Sequence, residues 1–385
     1  MNIMVIGSGG RESAVIRKLR ENPSAEKLYA LPGNAGIARM AECVPISATD
    51  VFAAVEFAKS HEIDYAVVTP DDPLCLGLVD MLEEAGIPAF GPSKAAARIE
   101  GSKAFAKNLM KKYGIPTAAF ETFDDYDAAR EYLLTLKPPY VIKADGLALG
   151  KGVTIAETLA DAEAALADCL LSRKFGDSGK QVVIEEYLTG VEASLLLFSD
   201  GETYRLMPAA MDHKRALDGD KGGNTGGMGS IAPNPCVTPA LLSEIERTIV
   251  APTLAAMRSE GCPFKGCLFI GLMLTDDGAK VIEYNARLGD PETQSILALL
   301  ESDLLSAMLA ATDGTLSSAD VRFRDKRACC VVLASGGYPA SYEKGMKITV
   351  PDVLPSNVKL DFAGVSFDAD GSYITSGGRV IGVTA

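Results

Sequence analysis

The sequence predicts an α/β protein of three regions. Strand and helix patterns alternate over the first hundred residues, glycine-dense loops interrupt strands in the middle of the chain, and a short β-rich tail ends it. At 385 residues, 48% hydrophobic and 23% charged, the chain is long enough for two or three domains whose cores need no staples.

In the first region, residues 2–6 read as an apolar strand and 11–20 as a helix with Ala14, Val15 and Leu19 on one side. Residues 27–30, 43–46 and 65–68 read as further strands, with helices over 51–59 and 73–85. That alternation implies a parallel sheet covered on both faces, with its ligand crevice at the carboxyl ends of the strands. Gly91-Pro92-Ser93 marks the boundary. The second region opens with a helix over 102–113, capped by Ser102 and closed by Gly114, with Pro116 beyond. Strands at 140–143 and 153–155, a helix at 159–170 and a strand at 181–185 follow. Strands near 193–198 and 204–207, a glycine-dense loop, a long helix at 239–257 and strands around 268–274 and 280–284 come next. After helices through residue 312, a strand at 328–334 begins the tail.

Composition removes several function classes. With 37 Lys+Arg against 51 Asp+Glu, the net charge of −14 argues against nucleic acid as a partner, because phosphate backbones repel such a surface. No apolar run reaches the ~18 residues of a membrane span, and Met1-Asn2-Ile3-Met4-Val5 lacks the basic stretch of a signal peptide. The eight cysteines form no C-x-x-C pair and only two histidines accompany them, so a zinc site is not expected; reduced thiols and a cytoplasmic location are.

Three glycine loops separate into different chemistries. Gly7-Ser8-Gly9-Gly10-Arg11 joins a strand to a helix, where backbone N–H groups and the helix dipole favour an anion. Its third glycine is misplaced for a dinucleotide fingerprint, and the second strand runs into Leu31-Pro32-Gly33 with no acid, so phosphate is expected there and NAD is not. The stretch from Lys143 to Gly152 superficially suggests a P-loop. However, Asp145 stands where the first glycine belongs, Gly152 replaces the hydroxyl, and the loop lies between strands. A flap over phosphates, with Lys143 reaching in from its strand, is the better reading. Asp212 to Gly229 packs Asp, His, Lys and Arg beside six glycines, which fits a loop ordered around an anionic, carboxylate-bearing substrate better than a linker.

Glu283, Asn285 and Arg287 alternate along a strand and so share one face. Glu and Asn oxygens are hard ligands suited to Mg²⁺ bridged to phosphates, and Arg287 can grip a carboxylate or phosphate at two points. The helix that follows, beginning around Gly289-Asp290-Pro291-Glu292, carries Pro and acids in its first turn, so its amides point back at the same place.

These residues resemble the ATP-grasp fold: Lys143 before a glycine flap, Glu185-Glu186-Tyr187-Leu188 with Glu192 downstream, and Glu283-x-Asn285. Within it, Arg287-Leu288-Gly289-Asp290-Pro291-Glu292-Thr293-Gln294, Gly7–Glu12 and Asp212–Gly229 are similar to the phosphoribosylamine–glycine ligase family over essentially the whole chain. The resemblance implies an N-terminal parallel-sheet (Rossmann-like) substrate-binding domain over 1–100 and an ATP-grasp domain over 101–321, with a mobile subdomain at about 117–190. It also implies a small β-rich C-terminal domain over 322–385, shortened relative to the family, which normally continues through another helix and strand.

By the same resemblance, ATP, glycine and 5-phosphoribosylamine would give glycinamide ribonucleotide, ADP and phosphate through a glycyl phosphate. Lys103 and Lys143, with Gly150, Lys151 and Gly152 of the flap, would hold the ATP phosphates, and Glu283 with Asn285 would hold Mg²⁺ or Mn²⁺. Glu185, Glu186, Tyr187 and Leu188 would hold adenine and Glu192 the ribose hydroxyls. Asp212, Lys214, Asn224, Thr225, Arg287 and Asp290 are the substrate candidates, with Gly9, Gly10 and Asn34 nearer the ribose phosphate. Lys143, Arg287 and Asp212 stand as the catalytic set; a monomer fits this reading.

The sequence departs from the family at several places. Ser13 replaces a usual His, and Asp361-Phe362 replaces Phe-His. Thr69-Pro70-Asp71-Asp72-Pro73 replaces Gly-Pro-Glu-Ala-Pro, and Gly223 replaces a Pro. These touch the phosphoribosylamine side and leave open a ligase with a different acceptor. A non-catalytic nucleotide-binding protein would be expected to have lost Lys143, Glu283 or Asn285, all of which are present.

Overall fold

The computed structural model describes residues 1–148, 152–219 and 221–385. The strands β1 (Asn2–Gly7), β2 (Lys27–Pro32), β3 (Glu42–Cys43), β4 (Tyr65–Val68) and β5 (Ala89–Phe90) make one parallel sheet in the order β3-β2-β1-β4-β5. Ile3, Met4, Val5 and Ile6 of central β1 are sealed from solvent because helices cover both faces. Those helices are α1 (Gly10–Leu19), α2 (Val51–Ser60), α3 (Asp71–Leu76) and α4 (Leu78–Glu84).

Two expectations change here. The strand at 43–46 shrinks to Glu42–Cys43, and the helix at 73–85 breaks at Gly77, whose φ of +91° ends α3 and begins α4. That left-handed conformation is open to glycine and costly to a side chain.

The Gly91-Pro92-Ser93 boundary is also a helix start. Ser93 caps α5 (Lys94–Gly101), a helix the sequence reading missed, by accepting from the Ala96 N–H. Ser102 does the same for α6 (Lys103–Tyr113) through the Phe105 N–H. Then β6 (Phe120–Phe123), α7 (Tyr126–Leu133), β7 (Tyr140–Ala144), β8 (Val153–Ala156), α8 (Leu159–Leu166) and β9 (Val182–Glu185) form a unit with an antiparallel sheet, β6-β9-β7-β8. It has its own apolar core, including Leu133, Ile142, Leu166 and Ile184.

Next, β10 (Val191–Asp200) and β11 (Tyr204–Leu206) begin a second antiparallel sheet. The glycine-dense stretch is not a featureless loop. It folds into β12 (Met211–Asp212), β13 (Arg215–Leu217), β14 (Lys221–Asn224) and β15 (Gly229–Ala232), with β13 and β14 paired as a hairpin. Helices α9 (Pro239–Ile245) and α10 (Ala251–Ser259) lead into β16 (Lys265–Thr275) and β17 (Gly278–Asn285), completing the order β11-β10-β16-β17.

After α11 (Glu292–Leu299) and α12 (Leu304–Asp313), the tail supplies β18 (Ala328–Ala334), β19 (Lys359–Phe362), β20 (Val365–Phe367), β21 (Tyr373–Thr375) and β22 (Arg379–Thr384). Its main sheet runs β12-β15-β18-β22-β19, so strands from the glycine-dense stretch are built into the tail. The main core likewise crosses residue 100, with Met4 and Val68 in one apolar cluster with Leu195 and Ile270. Among the described residues, no helix is long and apolar enough to cross a membrane.

Candidate active site

The ends of several elements converge on a cavity of about 690 Å³. β7 and β9 bring Lys143 and Glu185, the start of α6 brings Lys103 and Lys107, and the last turn of α5 brings Glu100. β12 contributes Asp212, with Lys214 just beyond it, and the end of β17 presents Glu283 and Asn285, followed by Arg287. Strand alternation aims Glu283 and Asn285 the same way, as the spacing requires.

The cations are arrayed around buried acids. Glu185 is 4% exposed, and its two oxygens sit 2.9 Å from Lys143 Nζ and 2.9 Å from Lys107 Nζ. Lys143 also donates to the Ile282 carbonyl at 3.2 Å, and Lys107 to Thr117 Oγ1 at 2.7 Å. Glu185, which the resemblance assigns to adenine, lies between two lysines in this structure, and that pairing offsets the hydration its carboxylate loses on burial. Lys103 donates to the carbonyls of Asp145 (3.4 Å) and Gly146 (3.0 Å), tying the start of α6 to the base of the flap. Burial pulls the Lys103 ammonium below the ordinary lysine range, against the opposing pull of Glu283.

Glu283 opens onto the cavity while protein surrounds it. Burial acts to raise its pKa, but Lys214, Lys143, Lys103 and Arg287 together hold it below the usual glutamate range. It is therefore ionised and faces four positive side chains. Asn285 Oδ1 accepts from Arg287 Nη2 at 3.0 Å, and Arg287 also pairs with Glu100 at 3.2 Å. Burial lifts Glu100 to about 7, tempered by Arg287. Two hard oxygens with water and phosphate completing the shell suit a divalent cation of the Mg²⁺ type. Among the described residues, no group of three or more His, Cys, Asp or Glu side chains could hold a metal alone, so Glu283 and Asn285 would share theirs with a ligand.

The glycine-dense segment is held by its own hydrogen bonds. The backbone N–H and Oγ1 of Thr225 both donate to the Lys214 carbonyl, each at 2.8 Å, and the Gly227 N–H donates to Thr225 Oγ1 at 3.0 Å. Lys214 bridges Asp212 (2.9 Å) and Glu192 (2.7 Å). Burial would depress this lysine, but the two carboxylates raise it, so it stays charged. Glu292 is buried in the same wall and accepts from Ser194 Oγ at 3.3 Å. Burial and Asp212 push its pKa upward.

A second cavity of about 760 Å³ lies beside the first, between the Gly7–Arg11 turn and the tail. Ser8, Gly9, Gly33 and Asn34 line it from one side and Gly364, Val365 and Ser376 from the other. Asp290, Tyr338 and Arg379 line both cavities. Burial would raise Asp290, but Arg379 and Arg11 hold it below the usual aspartate range.

The structure brings together Lys103, Lys143, Gly152, Glu185, Asp212, Lys214, Asn224, Thr225, Glu283, Asn285, Arg287 and Asp290 around the first cavity. Glu186, Tyr187, Leu188 and Glu192 line neither cavity, and Glu192 is held by Lys214. Gly9 and Asn34 line the second cavity, whereas Gly10 lines neither. Asn34 is occupied structurally: its Nδ2 donates to the Ser8 and Phe362 carbonyls, each at 2.8 Å, and its Oδ1 accepts from the N–H groups of Gly36 and Ile37. A role at a ribose phosphate would therefore fall to the surrounding backbone. Gly150 and Lys151 lie outside the described residues.

Sequence reasoning missed Arg11, Glu100, Lys107, Glu292, Tyr338 and Arg379, all of which line the first cavity. Arg11 was within reach, since it follows the first glycine turn; it is 9% exposed, with Nε on Glu12 at 2.6 Å and Nη1 on the Leu288 carbonyl at 2.9 Å. Glu292 lies within the Arg287–Gln294 motif and was within reach too; Glu100, Lys107, Tyr338 and Arg379 carry no local signal.

Comparison with known proteins matches each region. Family models for phosphoribosylglycinamide synthetase match residues 1–100 (N domain), 101–293 (ATP-grasp A domain) and 328–385 (C domain). The phosphoribosylamine–glycine ligase of Listeria monocytogenes is 50% identical over 384 residues, covering 99% of this chain and 91% of that protein. A bifunctional purine biosynthetic protein of Pichia angusta is 47% identical over the whole chain, which spans 49% of that longer protein. Among solved structures, the phosphoribosylamine–glycine ligase of Thermotoga maritima superposes with a TM-score of 0.87 at 36% identity, covering 100% of this chain and 92% of that one.

Proposed function

The chain belongs to the phosphoribosylglycinamide synthetase family of ATP-grasp ligases, and on that premise we propose how its residues join glycine to 5-phosphoribosylamine in purine biosynthesis. The observation that carries the proposal is the lining of the first cavity. Lys103, Lys143, Lys214 and Arg287 share it with Glu283, and together they hold that carboxyl below the usual glutamate range. Such a site is complementary to a triphosphate, and its carboxylate would suit a divalent cation of the Mg²⁺ type.

In this reading Lys103 and Lys143 bind the ATP phosphates, and Glu283 with Asn285 would hold Mg²⁺ or Mn²⁺. When bound, the cation supplies charge neutralisation on the phosphate oxygens. Lys143 need only exchange Glu185 for phosphate, and Lys107 keeps Glu185 paired as it does so. Arg287 and the Asp212–Lys214 pair orient glycine so that its carboxylate oxygen lies in line with the γ-phosphorus. That oxygen attacks phosphorus, ADP leaves with the electron pair, and glycyl phosphate forms. The phosphoribosylamine nitrogen then attacks the acyl carbon from the side of the second cavity, and inorganic phosphate departs carrying the glycine oxygen. The attacking nitrogen loses a proton.

No protein nucleophile is needed; positioning and charge do the catalytic work. Adenine recognition falls to Glu185 and the segment 186–188, and the ribose hydroxyls to Glu192. The second cavity takes the ribose phosphate against the Gly9 turn, where helix α1 begins. The eight unpaired cysteines suit a reducing, cytoplasmic setting.

A coupled assay of ADP release across candidate acids and amines tests this directly. Release that requires both glycine and phosphoribosylamine is expected; release with another acid, independent of glycine, would overturn it.

A further inference from the structure

Arg379 opens β22 in the tail, far in sequence from every residue that holds phosphate or glycine, yet it reaches the wall between the two cavities. Its Nη1 donates to the Gly226 carbonyl at 2.6 Å and to the Asp290 carbonyl at 2.8 Å, while Nη2 sits 3.3 Å from Asp290 Oδ2. One planar group thus fixes a turn of the glycine-dense segment and Asp290, two residues before α11, at the same time. A lysine cannot, because its ammonium is a point charge without a fork.

Tyr338 completes the clasp: its hydroxyl accepts from the Gly226 N–H at 3.0 Å. A Cβ on Gly378 would lie 2.2 Å from the Tyr338 ring, so the glycine beside Arg379 leaves room for the tyrosine to dock. Because Asp290, Tyr338 and Arg379 line both cavities, this clasp is the partition between them.

We propose that Arg379 is a positioning residue that couples the two half-reactions, holding Asp290 and the Gly226 turn so that the amine, rather than water, meets the acyl phosphate. The inference rests on the reading that glycyl phosphate forms in the first cavity and phosphoribosylamine enters by the second. With the clasp loosened, water attacks the acyl carbon, phosphate leaves with its bonding pair, and glycine is regenerated. The net reaction is then hydrolysis of ATP to ADP and phosphate.

The test uses the full chain with Arg379→Gln and Tyr338→Phe, measuring ADP released and glycinamide ribonucleotide formed in the same reaction. Wild type should release about one ADP per product, since each ligation consumes one acyl phosphate. Arg379→Gln should raise that ratio about fivefold and raise KM for phosphoribosylamine about tenfold, with KM for ATP within about twofold. Tyr338→Phe should raise the ratio by a smaller factor, and it decides alone if Arg379→Gln does not fold. Added guanidinium should bring the ratio of Arg379→Ala back toward wild type, which a merely structural loss would not allow. A ratio that stays at the wild-type value in both substitutions, with ADP and product falling together, overturns the inference alone. A wild-type protein that makes no product from glycine and phosphoribosylamine overturns the underlying reading as well.

Discussion

Lys143 and Glu283 face each other across the charge that the proposed reaction moves. Four cations hold Glu283 below the usual glutamate range, so replacing it removes the carboxylate that would hold a divalent ion with Asn285 in the proposed reaction. We expect Lys143→Ala and Glu283→Ala each to lower turnover about a hundredfold or more, the scale for losing one preorganised electrostatic partner. Circular dichroism should show both variants folded, because Lys107 still pairs with Glu185 when Lys143 is gone. Wild-type turnover in either purified variant would remove that residue from the mechanism.

Glu100 offers a pH test with a definite sign. Burial raises its folded pKa to about 7 from 4.5, even beside Arg287. The folded state therefore binds this proton more tightly than the unfolded chain does. Its contribution to stability is complete below pH ~4.5 and is lost as pH rises through ~7, a difference on the order of 3 kcal/mol. Urea unfolding at pH 4.5 and pH 8 should show wild type losing stability relative to Glu100→Gln across that range. Parallel behaviour would refute the assignment.

At the scale of elements, the glycine-dense segment owes its shape to contacts that forbid side chains. Gly227 has φ of +110°, and a Cβ there would lie 2.4 Å from Pro291 Cδ, at the start of α11. Gly227→Ala should therefore push β15 off α11 and lower kcat/KM at least about tenfold, since displacements near an ångström already cost that much. Steady-state kinetics with unchanged expression would check it, and an unaffected kcat/KM would contradict it.

Much of this was legible along the chain. Alternation gave the parallel sheet, Ser102 and Gly114 gave the ends of α6, and the period of two put Glu283 beside Asn285. What stayed hidden depends on the third dimension. The break at Gly77 lies within an otherwise helical run, and β12 to β15 are short strands whose partners lie elsewhere in the chain or across a turn. Arg379 meets Gly226 over 153 positions and Asp290 over 89, distances at which no local pattern survives. The motif names Glu185 but carries no sign of Lys107, which folds against it from another element.

The whole molecule joins its ends around one reaction. The Gly7–Arg11 turn, the cation-lined cavity and the tail meet at Asp290, and Arg17 pairs with fully buried Asp361 at 3.1 Å to pin α1 against β19. Removing one partner of such a pair typically costs about 3–5 kcal/mol. Arg17→Leu should therefore lower the urea midpoint of the full chain and raise KM for phosphoribosylamine more than KM for ATP, because Ser8 and Gly9, just before α1, and Ala363 and Gly364, just after β19, line the second cavity. Equal effects on both substrates would contradict that placement.

In the proposed reaction glycine's carboxylate takes the phosphoryl group before the amine arrives. Glycine labelled with ¹⁸O in both carboxylate oxygens, incubated with ATP, Mg²⁺ and phosphoribosylamine, would report this order of events in the mass of the released phosphate. One ¹⁸O is expected in each phosphate formed; phosphate carrying only unlabelled oxygen would rule the glycyl phosphate out.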